Sequence, residues 1–149
     1  MRFMILTAAR SGETRRLSWG EVDLAAALWT IPAERMKAGR LHRVPLAAPA
    51  LAILAAVRPD CAGPSDLVFP SRAETPISDM ARAMVLRGAD PNGFTIHRFR
   101  SSFRGWVTEE TDFPGVLAEA ALAHLVGDET ARAYRRGDTL EKRRHLMDA

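Results

Sequence analysis

Apolar and polar residues change rhythm several times along this chain, and each change marks an element. Phe3 to Ala9 is an almost unbroken apolar run that reads as a buried helix, interrupted at "RSGE"; "ETRRLSW" then forms another short helical turn. The period changes at Leu28 to Ile31 and again at His42 to Pro45, where two strands are expected, with Lys37, Ala38, Gly39 and Arg40 at or near the reversal. The outcome is a β-hairpin carrying a lysine near its tip. "APALAILAAVRP" returns to helical spacing and ends at Pro59. After a loop with Gly63, Pro64 and Pro70, helices are expected from about Ile77 to Arg87, Ile96 to Glu110 and Pro114 to Leu125. Gly127 can end the third, Asp128 can cap a further helix that carries Tyr134, and "TLEKRRHLMD" reads as a final amphipathic helix. Without an internal repeat or linker, the pattern describes one domain, mainly α with a small antiparallel β-sheet.

At 149 residues the chain can bury one core and not two comfortable ones. With 47% hydrophobic and 26% charged residues it belongs with globular proteins, not with disordered or fibrous ones. Formal net charge is +3, and the basic residues are nearly all arginine, Lys37 and Lys142 being the only lysines. A guanidinium grips phosphate oxygens in pairs, but an excess this moderate weighs equally for a polyanion partner and for a merely basic surface. Cys61 is the sole cysteine, which excludes an intrachain disulfide and a cysteine-rich metal site and makes a reducing, intracellular location the simpler reading. The opening "MRFMILTAAR" mimics a minimal signal peptide, yet its apolar run is short and charges crowd in from Arg10 onward, so a buried helix is the better expectation. No stretch approaches the ~20 apolar residues needed to span a bilayer.

Taken one at a time, the chemically able residues have plain explanations. Arg10 can pair with Glu13 across one turn, Lys37 can be solvated at a hairpin tip, His97 can cap or pack, and His124 can be a satisfied, partly buried histidine. Tyr134, the only tyrosine, is either a core ring with a polar tip or a nucleophile held beside a histidine and positive charge. Spacing changes the balance. His97 and Arg100 in "HRFR" stand at i and i+3, so both point into one volume, while Phe99, Phe103 and Trp106 offer an apolar stripe that reads as core. Arg10 sits at a helix break, where its side chain can be aimed inward.

Four segments, "TAARSGETRRLSW", "IPAERMKAGRLHRVPL", "IHRFRSSFRGW" and "LAHLVGDETARAY", in this order and at these separations, resemble the catalytic domain of tyrosine recombinases, in particular prophage-type integrases. The resemblance covers nearly the whole chain. It implies the DNA breaking-rejoining fold over residues 1–149, with the core-binding and arm-binding domains that precede it in the family expected to be absent. It also implies that Arg10 is the first phosphate-clamping arginine and Glu13 the carboxylate that orients it. Lys37 falls on the hairpin lysine that reaches the DNA, His97 and Arg100 on the family's H-x-x-R, His124 on its later histidine and Tyr134 on the nucleophile. Arg98 stands where related integrases often have glycine or a small polar residue; Arg98, Arg40 and Arg135 are expected DNA contacts. "RRLSW" and "EKRRHL" fit DNA support and solvated helix faces equally.

The resemblance implies site-specific recombination or integration through a covalent 3′-phosphotyrosyl intermediate, with double-stranded DNA as partner and a tetramer of protomers assembled on it. A bacterial or phage-derived cytoplasmic protein with no membrane partner is expected. Two arginines and a histidine around the nonbridging oxygens stabilise charge where it develops, which is the requirement of phosphodiester displacement. The phenol, with a pKa near 10 in model compounds, needs a base or positive field, for which His97 is the expected base and Lys37 the expected acid toward the leaving oxygen. No cofactor and no metal is expected, since "G-x-x-x-x-G-K-[ST]" and "H-E-x-x-H" are missing and no convincing carboxylate cluster is present. The alternative is a truncated, noncatalytic DNA-binding or protein-interaction remnant; a relaxing type IB topoisomerase shares the chemistry but fits the segments less well.

Overall fold

In a computed structural model of the chain, residues 1–89, 95, 98–124 and 139–149 are described. The sheet has three antiparallel strands, β1 (Val22–Asp23), β2 (Leu28–Ile31) and β3 (His42–Pro45), in that order across the sheet. In β2 the alternation that identified the strand turns Trp29 and Ile31 fully into the core. Trp29 pairs with Val44 and Ile31 with His42, so the hairpin register follows from burying one face. Strand β1 escapes the sequence pattern because two residues are too few to show alternation. The loop between β2 and β3 is wider than a tight reversal. It makes a short 3₁₀ turn at Ala33–Arg35 and a left-handed step at Gly39, φ +60°, before rejoining the sheet.

Around the sheet pack α1 (Arg2–Leu6), α2 (Ser11–Arg15) and α3 (Ala48–Val57). The opening helix stops short of the expected Ala9: Ala8 takes φ +49°, which turns the chain and leaves Arg10 extended ahead of α2. Helix α3 ends at Val57, where Pro59 keeps Arg58 extended. Phe3, Leu17, Trp19, Trp29, Ile31, Val44 and Leu54 are among the residues that close this core.

Among the described residues the remaining helices are α4 (Asp79–Ala89), α5 (Arg98–Glu110), α6 (Gly115–Ala121) and α7 (Leu140–Asp148). Val107, Leu117, Ala118, Ala121 and Leu146 form a second apolar cluster where α5, α6 and α7 meet. Two expectations are corrected here. Helix α6 ends at Ala121 and not at Leu125, because the chain turns left-handed at Ala123, φ +50°. The aromatic stripe is not all core: Phe103 packs against the second cluster, but Trp106 is 36% exposed, and the residues that α5 buries are Arg100 and Val107. The expected helix around Tyr134 and its boundary residues Gly127 and Asp128 lie outside the described residues. No helix among the described residues is long and apolar enough to cross a membrane.

Candidate active site

Arg10 is the N-cap residue of α2, and a single carboxylate holds it twice. Glu13 Oε2 accepts the Arg10 backbone N–H at 2.7 Å, and Glu13 Oε1 accepts Arg10 Nη1 at 2.9 Å. Arginine cannot accept the reciprocal bond of a capping box, so the Glu13 carboxylate alone makes the cap while it also holds the guanidinium. Glu13 is buried, whereas the Arg10 side chain keeps 31% of its exposure. One end of the pair is fixed and the other can meet a ligand.

Arg100 comes from α5 and is buried. Its Nη1 donates to the carbonyl of Ala8 and its Nη2 to the carbonyl of Leu122. Both carbonyls belong to chain reversals at the ends of short helices. At the end of α6 the His124 N–H reaches Glu119 O at 2.9 Å and the Ala123 N–H reaches Ala120 O at 3.2 Å, the pattern of a Schellman turn. The left-handed residue of such a turn is usually glycine; here alanine takes it, which costs about 1 kcal/mol. The turn leaves Leu122 O free of helix bonding for Arg100 and lifts His124 off the helix axis.

His124 is oriented from behind. Its Nδ1 lies 2.7 Å from Glu119 Oε2, and Arg104 Nε holds the other oxygen of Glu119 at 2.6 Å. With Nδ1–H given to the carboxylate, Nε2 is the free nitrogen, and it lies 3.4 Å from Arg100 Nη2. Burial, followed by the neighbouring Arg10 guanidinium, lowers the Arg100 pKa to about 10, while Glu13 and Glu119 work against that shift. Arg100 therefore remains charged at neutral pH, and Arg10 is near enough to repel it. Two guanidiniums that repel one another beside an imidazole nitrogen make a place where an oxyanion is stabilised on arrival.

Arg10, Glu13, Arg100 and His124 are thus brought together. Lys37 and Arg40 are exposed on the β2–β3 loop, outside this hydrogen-bonded cluster, and Arg98 is exposed at the start of α5. His97, Tyr134 and Arg135 lie outside the described residues. Sequence reasoning missed Glu119, since a helix that ends between it and His124 leaves no periodic signal. It missed Arg35, whose Nη2 donates to Glu13 O at 2.6 Å. It also missed His42, whose Nε2 lies 3.2 Å from Ala121 O. Strand alternation with buried Val44 places His42 on the inward face, a signal that was available. Burial first, then Arg143, lowers the His42 pKa to about 4, so Nε2 carries the single proton of a neutral ring and donates it to Ala121.

This arrangement joins an arginine held by a carboxylate, a buried arginine and an oriented histidine, groups whose charge and donors suit an anion. Residues 1–140 match the model of the phage integrase family, and the chain belongs to that family. It is similar to the prophage integrase IntA of Escherichia coli K12, with 38% identity over 147 residues, 97% of this chain and 35% of that protein. It is 34% identical to the prophage integrase IntZ of the same organism over 152 residues, covering 99% of this chain and 37% of that protein. The integrase of Shigella phage Sf6 is 30% identical over 144 residues, 95% of this chain and 37% of that protein. The chain therefore spans little more than a third of the length of these relatives. No solved structure matches it significantly.

Proposed function

We propose that the chain is the catalytic domain of a tyrosine-type site-specific recombinase that cuts and rejoins duplex DNA through a covalent 3′-phosphotyrosyl link. The observation that carries this reading is the proximity of Arg10 and of His124 Nε2 to Arg100, from three separate parts of the chain. In the proposed step the Tyr134 oxygen forms a bond to phosphorus and the bond from phosphorus to the 5′ oxygen breaks. His97 takes the phenol proton, and the Lys37 ammonium gives a proton to the departing oxygen. Arg10, Arg100 and His124, the last donating from a protonated Nε2, hold the nonbridging oxygens, while Glu119 accepts from Nδ1–H and keeps Nε2 turned toward them. Because a phosphodiester is exchanged for another phosphodiester, the link conserves the bond for rejoining. Arg40, Arg98 and Arg135 contact DNA phosphates, so binding weakens steeply with salt. Other protomers complete the assembly on DNA.

Incubation with nicked suicide DNA substrates, followed by a denaturing gel, tests the reading. An adduct that Tyr134→Phe abolishes is the expected result. DNA binding without an adduct from the unaltered chain would replace it by the noncatalytic remnant.

A further inference from the structure

We infer that Arg35 is a positioning residue that couples the loop bearing Lys37 to the base of the Arg10 clamp. The inference rests on the strand-transfer reading for its meaning, but its geometry stands independently. After β2 the chain makes its 3₁₀ turn at Ala33–Arg35, and the Arg35 guanidinium folds back beneath α2. Its Nη1 pairs with Glu21 Oε1, and its Nη2 donates to the Glu13 carbonyl at 2.6 Å. Glu21 is itself fixed, because its other oxygen accepts Nε1 of fully buried Trp29 at 3.0 Å. Glu13 therefore stands in the middle: Arg35 holds its backbone oxygen, and its carboxylate holds Arg10.

The same residue is the last polar anchor before the lysine. Met36 follows it into the core, and from Lys37 to Leu41 every residue is exposed. The two bonds point in different directions, which suits a planar fork and not the point charge of a lysine. An ion pair this enclosed, with 19% and 12% of the two side chains exposed, adds little to stability over a well-packed hydrophobe. What a hydrophobe cannot supply is the directional tie between loop and clamp.

Lysine-specific proteolysis of the full chain reads that tie directly, because Lys37 and Lys142 are its only cutting sites. Arg35→Met is expected to speed cutting after Lys37 about tenfold while cutting after Lys142, on α7, keeps its rate. Cutting after Lys37 at the unaltered rate overturns the inference. If both sites accelerate together, Glu21→Gln decides, since it weakens the Arg35 grip while keeping every side chain's shape. Selective acceleration at Lys37 in that variant supports the tie, and parallel acceleration at both sites overturns it. With suicide DNA, Arg35→Met should slow adduct formation about tenfold at saturating DNA, with affinity unchanged. The loss should shrink when sulfur replaces the scissile 5′ oxygen, because a thiolate departs without the Lys37 proton. An unaltered chain that forms no adduct would sink the strand-transfer reading, leaving proteolysis to decide on Arg35.

Discussion

Among the described residues two apolar bodies form, and they differ in where their residues come from and in how they are joined. The first, around the sheet, draws on residues between Phe3 and Val68 and is rich in aromatic rings, with Phe3 lying 5.8 Å from Trp29 and 5.4 Å from Phe69 between ring centroids. The second, where α5, α6 and α7 meet, draws on Val107, Leu117, Ala118, Ala121 and Leu146. Each body is built on an apolar cluster. Between them the bonds are directional: Arg100 to Ala8 O, His42 to Ala121 O, Arg143 to Arg43 O and Arg144 to Ala27 O. Apolar burial has no preferred direction and can tolerate sliding, whereas hydrogen bonds to specific carbonyls lock one geometry. The proposed clamp draws its arginines from opposite bodies and needs the second kind of contact. Arg10 belongs to the sheet side and Arg100 to the helical side, so the candidate site lies on the seam.

The largest effect should come from cutting the seam at the clamp itself. Arg100→Lys keeps the charge but loses the fork, and adduct formation is expected to fall by about 10²–10³-fold in single-turnover cleavage of suicide DNA. A smaller loss would separate the guanidinium's structural grip from any role at phosphate.

Cutting inside a body should do the opposite. Leu54→Ala, at a fully buried position in the sheet core, should cost about 2–5 kcal/mol in urea unfolding. Cleavage per folded molecule should stay close to that of the unaltered chain. If it fell as far as in Arg100→Lys, the division between bodies and seam would fail.

Acid should weaken the seam through His42. In the unfolded chain the imidazole titrates near its ordinary 6.5, in the folded chain at about 4, so on acidification the unfolded state takes up the proton first. Stability is thus full above pH 6.5 and is lost as pH falls toward 4, by about 2–3 kcal/mol. Urea midpoints at both ends of that window should move less in His42→Gln than in the unaltered chain. Equal movement would remove His42 as the cause.

The smallest change concerns the turn that feeds the seam. Ala123→Gly relieves a left-handed alanine, and thermal unfolding should show a gain of about 0.5–1 kcal/mol. A loss would mean that the alanine methyl, which packs against the sheet core, outweighs the backbone strain.

Much of this molecule was legible in its residues, because apolar period and punctuation act locally. The two strands of the hairpin, the helix halted ahead of Pro59, the final helix and the break at Arg10 all follow from the side chains of a few neighbours. The pairing of Arg10 with Glu13 across one turn is equally local, and so is the presence of an arginine on α5 at position 100. Membership of the phage integrase family was legible in the order of four motifs.

What tertiary structure decided were the partners. Ala8 O and Arg100 are 92 positions apart, and Arg43 O and Arg143 are 100 apart, with no pattern along the chain to join them. The burial of Arg100 and Arg143, residues that composition places outside, depends on which carbonyls they meet once the two bodies pack, those of Ala8 and Leu122 at helix ends and that of Arg43 on β3. The same holds for Ala123, whose left-handed turn brings His124 to Arg100, and for Arg35, which reaches the carbonyl of Glu13 22 positions away. Local periodicity determines which surfaces are apolar; the polar groups across a seam find one another only after those surfaces have packed.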